Sequence, residues 1–250
     1  MSKPRPTHYS YTVYADPATA QTFDRRRFGG PIGELIADQQ GLVLVAFAGD
    51  VTDRAVLDVG TGTGRAALLM ARGGARVTAV DASEEMLAVA RRRADDEHLA
   101  VRFLPGDVHR LDFGDRTFDV VISLRVLMHA ASWSQSVAEL CRVAGRLVIV
   151  DYPSMTSFAV LQSLARRVTH ALGARTEPYR VLSDSQVAGE LQRSGFRVRS
   201  VHRQFVLPIA VHKAIGSPRF TRLSRTLSAR LGLLGLVGTP VTVVAERCEF

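Results

Sequence analysis

Cysteine, lysine and long apolar runs are all scarce in this sequence of 250 residues. The two cysteines, Cys141 and Cys248, are too few for a disulfide framework or a cysteine-based metal site, so they favour a reducing, cytoplasmic location. Glycines and Pro240 interrupt the longest apolar segment, 231–245, before it reaches the roughly 18 residues that a membrane-spanning helix needs. Residues 1–16 contain no apolar segment of the kind found in secretion signals, so none is predicted.

Positive charge, by contrast, is abundant. The formal net charge is +8, yet Lys3 and Lys213 are the only lysines, and arginines spread along the whole chain supply the rest. Such a uniform preference for arginine is typical of a coding bias rather than of a nucleic-acid-binding surface, and attraction to an anionic partner stays open as the alternative. With 46% hydrophobic and 22% charged residues, the composition is that of an ordinary globular protein.

Seven short apolar segments rich in β-branched residues predict strands, and helix-like segments at 65–71, 83–93 and 133–143 separate the earlier ones. The predicted strands are 55–59, 76–80, 101–104, 118–123, 146–151, 196–207 and 241–249. Because these strands are continuously apolar, helices should cover both faces of the sheet. The sequence therefore predicts an α/β fold with a doubly wound, mostly parallel, seven-stranded sheet.

One domain is predicted over residues 1–250, in three parts. Residues 1–50 form a helical lid, 51–151 form the ligand-binding core, and 152–250 form the substrate side with the last two strands. Helical insertions are expected after the fifth strand and, at 208–240, between the last two strands, where 33 residues far exceed a hairpin turn.

The second insertion contains five apolar residues at helical spacing, Phe220, Leu223, Leu227, Leu231 and Leu234. Arginines lie on the other side of the predicted helix. One interpretation is a helix that packs its leucines on the domain and leaves the arginines in water. The other is that 215–234 contacts an anionic membrane surface or a lipophilic acceptor.

Three glycines, Gly60, Gly62 and Gly64, lie where the first strand gives way to a helix, and so many are seldom needed only to turn the chain. A loop in this place predicts a ligand at the carboxyl edge of the sheet, facing the amides that open the helix. The dinucleotide pattern G-x-G-x-x-G fails at Arg65, and the Walker pattern is absent. Alone, the loop does not identify the ligand.

Acidic residues after the next two strands narrow the choice. Asp81 ends the second strand and would bind both hydroxyls of a ribose, in a nicotinamide dinucleotide or in an adenosyl ligand. Asp107 follows the third strand, and this second acid favours the adenosyl ligand.

In order and spacing, residues 50–151 resemble the class I S-adenosylmethionine-dependent methyltransferases, above all the small-molecule branch that includes quinone-biosynthesis enzymes. Five successive motifs carry the resemblance: 57–64 (LDVGTGTG), 80–87 (VDASEEML), 106–107 (GD), 118–123 (FDVVIS) and 145–149 (GRLVI). The resemblance implies a Rossmann-like fold, S-adenosylmethionine as cofactor and a small-molecule acceptor.

The resemblance also assigns roles to the matched positions. The loop of Gly60, Thr61 and Gly62 would bind the methionine part of the cofactor, Asp81 its ribose and Asp107 the edge of its adenine. The candidate cofactor-binding residues are Asp58, Gly60, Thr61, Gly62, Gly64, Asp81, Ala82, Met86, Asp107, Val108, Ser123, Leu124 and Arg125.

Three of these candidates have a second interpretation. Asp58 supports the cofactor or only braces the loop, Met86 packs on the adenine or belongs to the core, and Arg125 meets the cofactor carboxylate or is solvated.

Methyl transfer from a sulfonium needs positioning above all, and a base only where the acceptor must lose a proton. His129, just after the fourth strand, is the candidate catalytic base; the alternative is a histidine that fixes its own loop. Tyr14, Arg27 and Phe28 of the lid and Tyr152 after the fifth strand are the candidate substrate-binding residues. The sequence contains no cluster typical of a metal site, so no metal is predicted.

Three other functions remain as alternatives. A nucleic-acid methyltransferase would use the basic surface, but residues 123–126 (SLRV) lack the Asn/Asp-Pro-Pro-aromatic run of amino-methylating DNA enzymes. A nicotinamide-dependent oxidoreductase is disfavoured by Arg65 and Asp107. A cofactor-binding relic without turnover is the third, and the sequence predicts no particular oligomeric state.

Overall fold

A single seven-stranded sheet organises the computed structural model, which describes residues 16–171 and 179–248. The strand order is β3-β2-β1-β4-β5-β7-β6, and β7 runs antiparallel to both of its neighbours while the other pairs are parallel. The strands are β1 Ala55–Val59, β2 Arg76–Asp81, β3 Val101–Pro105, β4 Phe118–Ser123, β5 Ala144–Tyr152, β6 Phe196–Phe205 and β7 Thr239–Arg247. The predicted fold class and all seven strands are confirmed.

Ten helices belong to the described part of the chain, and no helix there is long and apolar enough to cross a membrane. They are α1 Pro17–Phe28, α2 Gly30–Ala48, α3 Arg65–Arg72, α4 Glu84–Asp96, α5 Trp133–Val143, α6 Ala159–Ala171, α7 Asp184–Arg193, α8 Ile209–Ile215, α9 Pro218–Arg230 and α10 Leu233–Val237. Helices α1 and α2 form the predicted N-terminal helical segment, and α8 to α10 lie in the second insertion.

Apolar layers cover both faces of the sheet. Successive strand residues point to opposite faces, and accordingly Val56, Val120 and Ile122 belong to one buried cluster while Leu57 and Val121 belong to the other. Helices α2 and α3 pack on the first of these faces, and α5 and α7 on the second. This two-sided burial explains why the central strands have no polar alternation.

Strand order reverses between β1 and β4, which are neighbours in the sheet with β2 and β5 on their outer sides. In an open parallel sheet this reversal opens a crevice beyond the carboxyl ends of the strands. The glycine loop, Asp81, Asp107 and the segment 124–129 all follow strand ends at that edge, so the fold brings the predicted ligand residues together.

The leucines of α9 do not pack on the domain, so that interpretation of the sequence is wrong. Leu223, Leu227 and Leu231 are 69%, 54% and 63% exposed, and the fully buried residue of the helix is Thr221. The buried His212 of α8 contacts the Thr221 hydroxyl, at 3.1 Å between Nδ1 and Oγ1. A polar contact therefore holds this helix, and its apolar side faces solvent.

The exposure of these leucines predicts that L223Q/L227Q leaves the free energy of unfolding within about 0.5 kcal/mol of wild type, as expected for surface positions. Leu140 of α5 is fully buried, and L140A should cost about 2–5 kcal/mol through lost burial and an unfilled cavity. Urea denaturation followed by circular dichroism measures both. A loss of more than about 1 kcal/mol in the double variant would show that the leucines are covered.

Candidate active site

A cavity of about 220 Å³, called the first cavity here, lies at the carboxyl ends of β1, β2 and β4. All the candidate cofactor-binding residues except Gly64 and Ser123 line it. Arg27 and Phe28 from α1 and the candidate base His129 line it too. The structure therefore gathers most of the predicted residues around one space; Tyr14 falls outside the described residues.

The glycine loop is shaped by close approach to its neighbours. The amides of Gly60 and Thr61 both donate to the carbonyl oxygen of Val80 in β2, at 2.7 and 3.0 Å. Gly60 has φ +70°, and a Cβ atom there would come within 2.2 Å of the Val126 side chain. Gly62 also has a positive φ, with open space where its Cβ would stand. A side chain at Gly60 is excluded, and the backbone itself faces the cavity.

Asp81 joins the glycine loop to the next helix. One carboxylate oxygen accepts the Gly62 amide at 2.7 Å, and the other accepts the Ser83 amide at 2.9 Å. Ser83 in turn caps α4 by accepting the Met86 amide. Burial raises the pKa of the Asp81 carboxyl above its ordinary value, although these amides oppose that shift. Asp81 lines the first cavity, so it can also accept hydrogen bonds from a ligand.

Asp58 braces the loop from below, as one interpretation of the sequence proposed. Its carboxylate accepts the Thr61 hydroxyl at 2.6 Å and the Ala67 amide in the first turn of α3 at 3.1 Å. Burial raises the pKa of Asp58 to about 6, and the nearby Asp81 charge adds to that shift. Asp58 still borders the first cavity, so it contributes negative charge to the ligand's surroundings.

Asp107 is paired with His109, a residue that the sequence reasoning missed. The Asp107 carboxylate lies 2.6 Å from His109 Nδ1 and also accepts the His109 amide. His109 Nε2 accepts the Ser132 amide at 3.2 Å, so in the neutral ring the proton is on Nδ1 and faces Asp107. The Asp-x-His spacing was the available signal for this pair.

Ser123 and Gly64 stand apart from the first cavity. The Ser123 side chain is fully buried, and its hydroxyl donates to the Val59 carbonyl at 2.9 Å, which links β4 to β1. Its position does not support the predicted cofactor contact. Gly64 has φ +84° and packs against Ala90 of α4, so it is a structural residue that begins α3.

Helix α1 closes over the first cavity through contacts that the sequence did not reveal. Asp24 accepts the Thr63 hydroxyl at 2.9 Å and forms a short ion pair with Arg93 of α4. Phe28 lies against Arg65 at the start of α3, with 3.5 Å from the guanidinium carbon to the ring centre. Helix α1 is thus tied to the C-terminal end of the glycine loop and to the helices α3 and α4 that follow it.

A second cavity of about 440 Å³ adjoins the first and is formed largely by the insertions. It is lined by residues of α1, α6 and α8 and by the ends of β5 and β7. The residues shared by both cavities, which mark their junction, are Phe23, Arg27, Phe28, Arg125 and His129. A ligand in the second cavity would therefore meet a ligand in the first beside His129.

The end of β5 contributes two buried residues to the second cavity. Tyr152 lines it, as predicted, but its hydroxyl donates to Asp184 at 3.1 Å. Asp151, which the sequence reasoning passed over, lines the cavity with only 2% of its surface exposed. Within residues 16–171 and 179–248, no cluster of histidine, cysteine and acidic side chains could hold a metal ion.

Comparison with known proteins places this geometry in a family. The methyltransferase domain family matches residues 57–149. Demethylmenaquinone methyltransferase of Deinococcus radiodurans is 32% identical over 166 residues, which cover 58% of this chain and 69% of that protein. Demethylmenaquinone methyltransferase of Thermus thermophilus is 40% identical over 103 residues, which cover 39% of this chain and 47% of that protein.

A solved structure extends the likeness in fold. Magnesium protoporphyrin IX methyltransferase from Synechocystis, crystallised with bound SAH, has a TM-score of 0.63 and 21% identity, covering 95% of this chain and 99% of that one. Together with the glycine loop and the two acids that follow β2 and β3, these matches decide between the ligands that the loop alone left open. The chain belongs to the class I S-adenosylmethionine-dependent methyltransferases.

Proposed function

We propose that S-adenosylmethionine binds in the first cavity in one orientation, with its ribose on Asp81 and its methionine part on the loop of Gly60, Thr61 and Gly62. Ala82, Met86 and Val108 then line the adenosine side, with Asp107 at the adenine edge. Leu124 and Arg125 line the methionine side. The observation that carries this proposal is that these residues border one cavity around an exposed loop backbone.

The charge of the first cavity fits this ligand. Burial raises the pKa of Asp58 and of Asp81, and neither carboxylate has an ion-pair partner among the basic side chains of the described residues. Buried carboxylates of this kind favour a bound cation. A sulfonium and an α-ammonium group supply that charge, and Arg125 at the junction suits the α-carboxylate.

Bound S-adenosylmethionine supplies a methyl group on an activated sulfur, so the protein's task is mainly positioning. The side chains at the junction, with α1 across the first cavity, keep that region dry and fix the approach of the acceptor. His129 borders both cavities, which supports a direct contact between His129 and the acceptor at the point of transfer. Arg27, Phe28 and Tyr152 complete the proposed acceptor contacts.

We propose that the acceptor is a lipophilic ring compound, as the names of the curated relatives suggest, rather than a nucleic acid. Phe23, Phe28, Phe158 and Tyr179 line the second cavity and provide flat apolar surface on which a ring can pack.

We also propose that residues 1–250 act as one catalytic unit in the cytoplasm. The two cysteines support this location, because Cys141 is buried and neither cysteine forms a disulfide.

A lipophilic acceptor is most concentrated in a membrane, and we propose that α9 and α10 bind an anionic bilayer surface. Besides Leu223 and Leu227 of α9 and Leu231 just after it, Leu236 of α10 is 67% exposed. Arg219, Arg222 and Arg230 of α9 are exposed as well, which gives the surface both apolar and positive groups. This surface lies near the second cavity, because Thr156 beside α6 donates to the Leu236 carbonyl at 3.0 Å.

The proposed role of Asp81 predicts that D81N weakens binding of S-adenosylmethionine and S-adenosylhomocysteine by about 100-fold. The reason is that two charge-assisted hydrogen bonds, each worth about 1.5–3 kcal/mol, lose their charge. Isothermal titration calorimetry measures the affinity, and D96N, at an exposed acid of α4, is the matched control. Equal affinity for D81N and wild type would show that the ribose lies elsewhere.

The proposed bilayer contact predicts co-sedimentation with vesicles of phosphatidylglycerol and phosphatidylcholine, and much weaker binding to phosphatidylcholine alone. L223Q/L227Q should lose most of this binding, because it removes apolar area that the bilayer would cover. L223M/L227M should keep the binding, because methionine is also apolar. Raising the salt concentration should weaken binding by screening the arginines. Failure of the wild-type chain to bind the anionic vesicles would exclude the contact.

A further inference from the structure

Asp151 is a buried carboxylate that no structural contact fully accounts for. Its Oδ1 accepts a short hydrogen bond from the backbone amide of Arg125, and among the described residues its Oδ2 has one partner, the Gln40 side chain, at 3.5 Å. That distance is at the outer limit of a hydrogen bond. No basic side chain of the described residues lies within 4 Å of Asp151 as an ion-pair partner. A buried polar oxygen with so little compensation is costly, so a further partner is to be expected.

The position of Asp151 indicates what that partner is. The register of β4 and β5 pairs Ser123 with Val150, so Asp151 lies just past the carboxyl end of β4, beside the residues of the junction. Its carboxylate borders the second cavity and not the first. The missing partner therefore belongs to the acceptor rather than to S-adenosylmethionine.

The backbone at Arg125 is held in an unusual conformation to make this contact. Arg125 has φ +63°, which is uncommon for a residue with a side chain, and its amide donates to Asp151 in that conformation. The Nε atom of Arg125 is buried without a hydrogen-bond partner in the described part of the chain. Asp151 and Arg125 both line the second cavity.

We propose that Asp151 is the residue that binds the reacting X–H group of the acceptor and takes its proton during methyl transfer. This inference rests on the proposed function. Where X is the oxygen of a ring hydroxyl, the O–H bond gives its proton to Asp151 Oδ2, and the electron pair left on oxygen forms the bond to the methyl carbon either directly or through the adjacent ring carbon. In the second case that ring carbon then releases its own proton to water, and the oxygen takes its proton back from Asp151. The carbon–sulfur bond breaks, and its pair stays on the sulfur, which becomes a neutral thioether. Arg27, whose charge acts on Asp151, offsets the negative charge that develops on X, and His129 serves as a contact that orients the acceptor.

Burial raises the pKa of the Asp151 carboxyl to about 7, and the Arg27 charge opposes part of that shift. A proton acceptor with a pKa near neutrality is well matched to this chemistry. The titratable and charged groups that line the cavity around Asp151 include Arg27, Arg125, His129, Tyr152, Arg166 and Lys213. Their charges are mostly positive and none of the acidic residues is among them, so the raised pKa is due to desolvation and not to a second carboxylate.

The raised pKa has a consequence for stability that does not depend on any acceptor. The folded state binds the Asp151 proton more tightly than the unfolded chain, so the contribution of Asp151 to the free energy of unfolding falls as the pH rises from about 4 to about 7. D151N removes this loss while its side-chain oxygen can still accept the Arg125 amide. The melting temperature of D151N relative to wild type should therefore rise between about pH 5 and about pH 8.

Two probes test recognition of the X–H group, 1-naphthol and naphthalene, which differ by one hydroxyl. In the presence of S-adenosylhomocysteine, wild type should bind 1-naphthol about 10-fold or more tightly than naphthalene, because Asp151 accepts the hydroxyl. D151N should bind the two alike and keep its affinity for S-adenosylhomocysteine. With reduced demethylmenaquinone as acceptor, kcat of D151N should be about 100-fold below wild type. D96N should behave as wild type in each measurement.

The proposal is overturned if D151N still prefers 1-naphthol, if wild type shows no such preference, or if D151N is less stable than wild type at about pH 8. The last result would mean that Asp151 is a structural residue. Failure of the proposed cofactor site would be seen in a different measurement, the affinity of D81N for S-adenosylmethionine. The D151N results can therefore contradict the role of Asp151 while the cofactor site stands.

Discussion

The carboxylate of Asp81 is the interaction on which the site depends. It ends β2 and accepts one amide from the loop after β1 and one from the segment that caps α4. Because the same loop also donates two amides to the Val80 carbonyl, its shape is set by the last residues of β2. The register of two parallel strands thus determines where the bare backbone of Gly60 and Gly62 faces the cavity.

Carboxylates without a salt bridge are a common feature of the two cavities. The chain carries a net charge of +8, yet the buried Asp58 and Asp151 and the half-buried Asp81 have no salt bridge to any basic residue in the described ranges. A carboxylate removed from water without a charged partner lowers the stability of the fold. The three residues along this sheet edge are therefore explained by ligand binding and not by a contribution to folding. A cationic methyl donor and an acceptor with a removable proton offset that cost when they bind.

The sequence predicted those parts of the structure that follow from local patterns. Continuous apolar strands, the glycine loop and Asp81 lie within single elements, so periodicity and family motifs suffice to find them. Asp24 and Asp151 acquire their roles through partners far along the chain, and no local pattern reveals such contacts. His109, by contrast, pairs with Asp107 two residues away, and the sequence reasoning passed over that local signal. The prediction that Leu223 and Leu227 pack on the domain was wrong for another reason. Helical spacing shows that one side of a helix is apolar, but not whether that side faces the protein or the solvent.

Donor and acceptor are recognised by different parts of the chain. The first cavity is built mainly from the loops after β1 to β4, where strand register leaves little freedom. The second is built mainly from α1, α6 and α8, which lie outside the alternating core. Both meet at Arg125, whose amide is bound to Asp151 and whose side chain borders the first cavity. Changes in the insertions can therefore alter which acceptor is bound without altering the loops after β1 to β4 that line the first cavity.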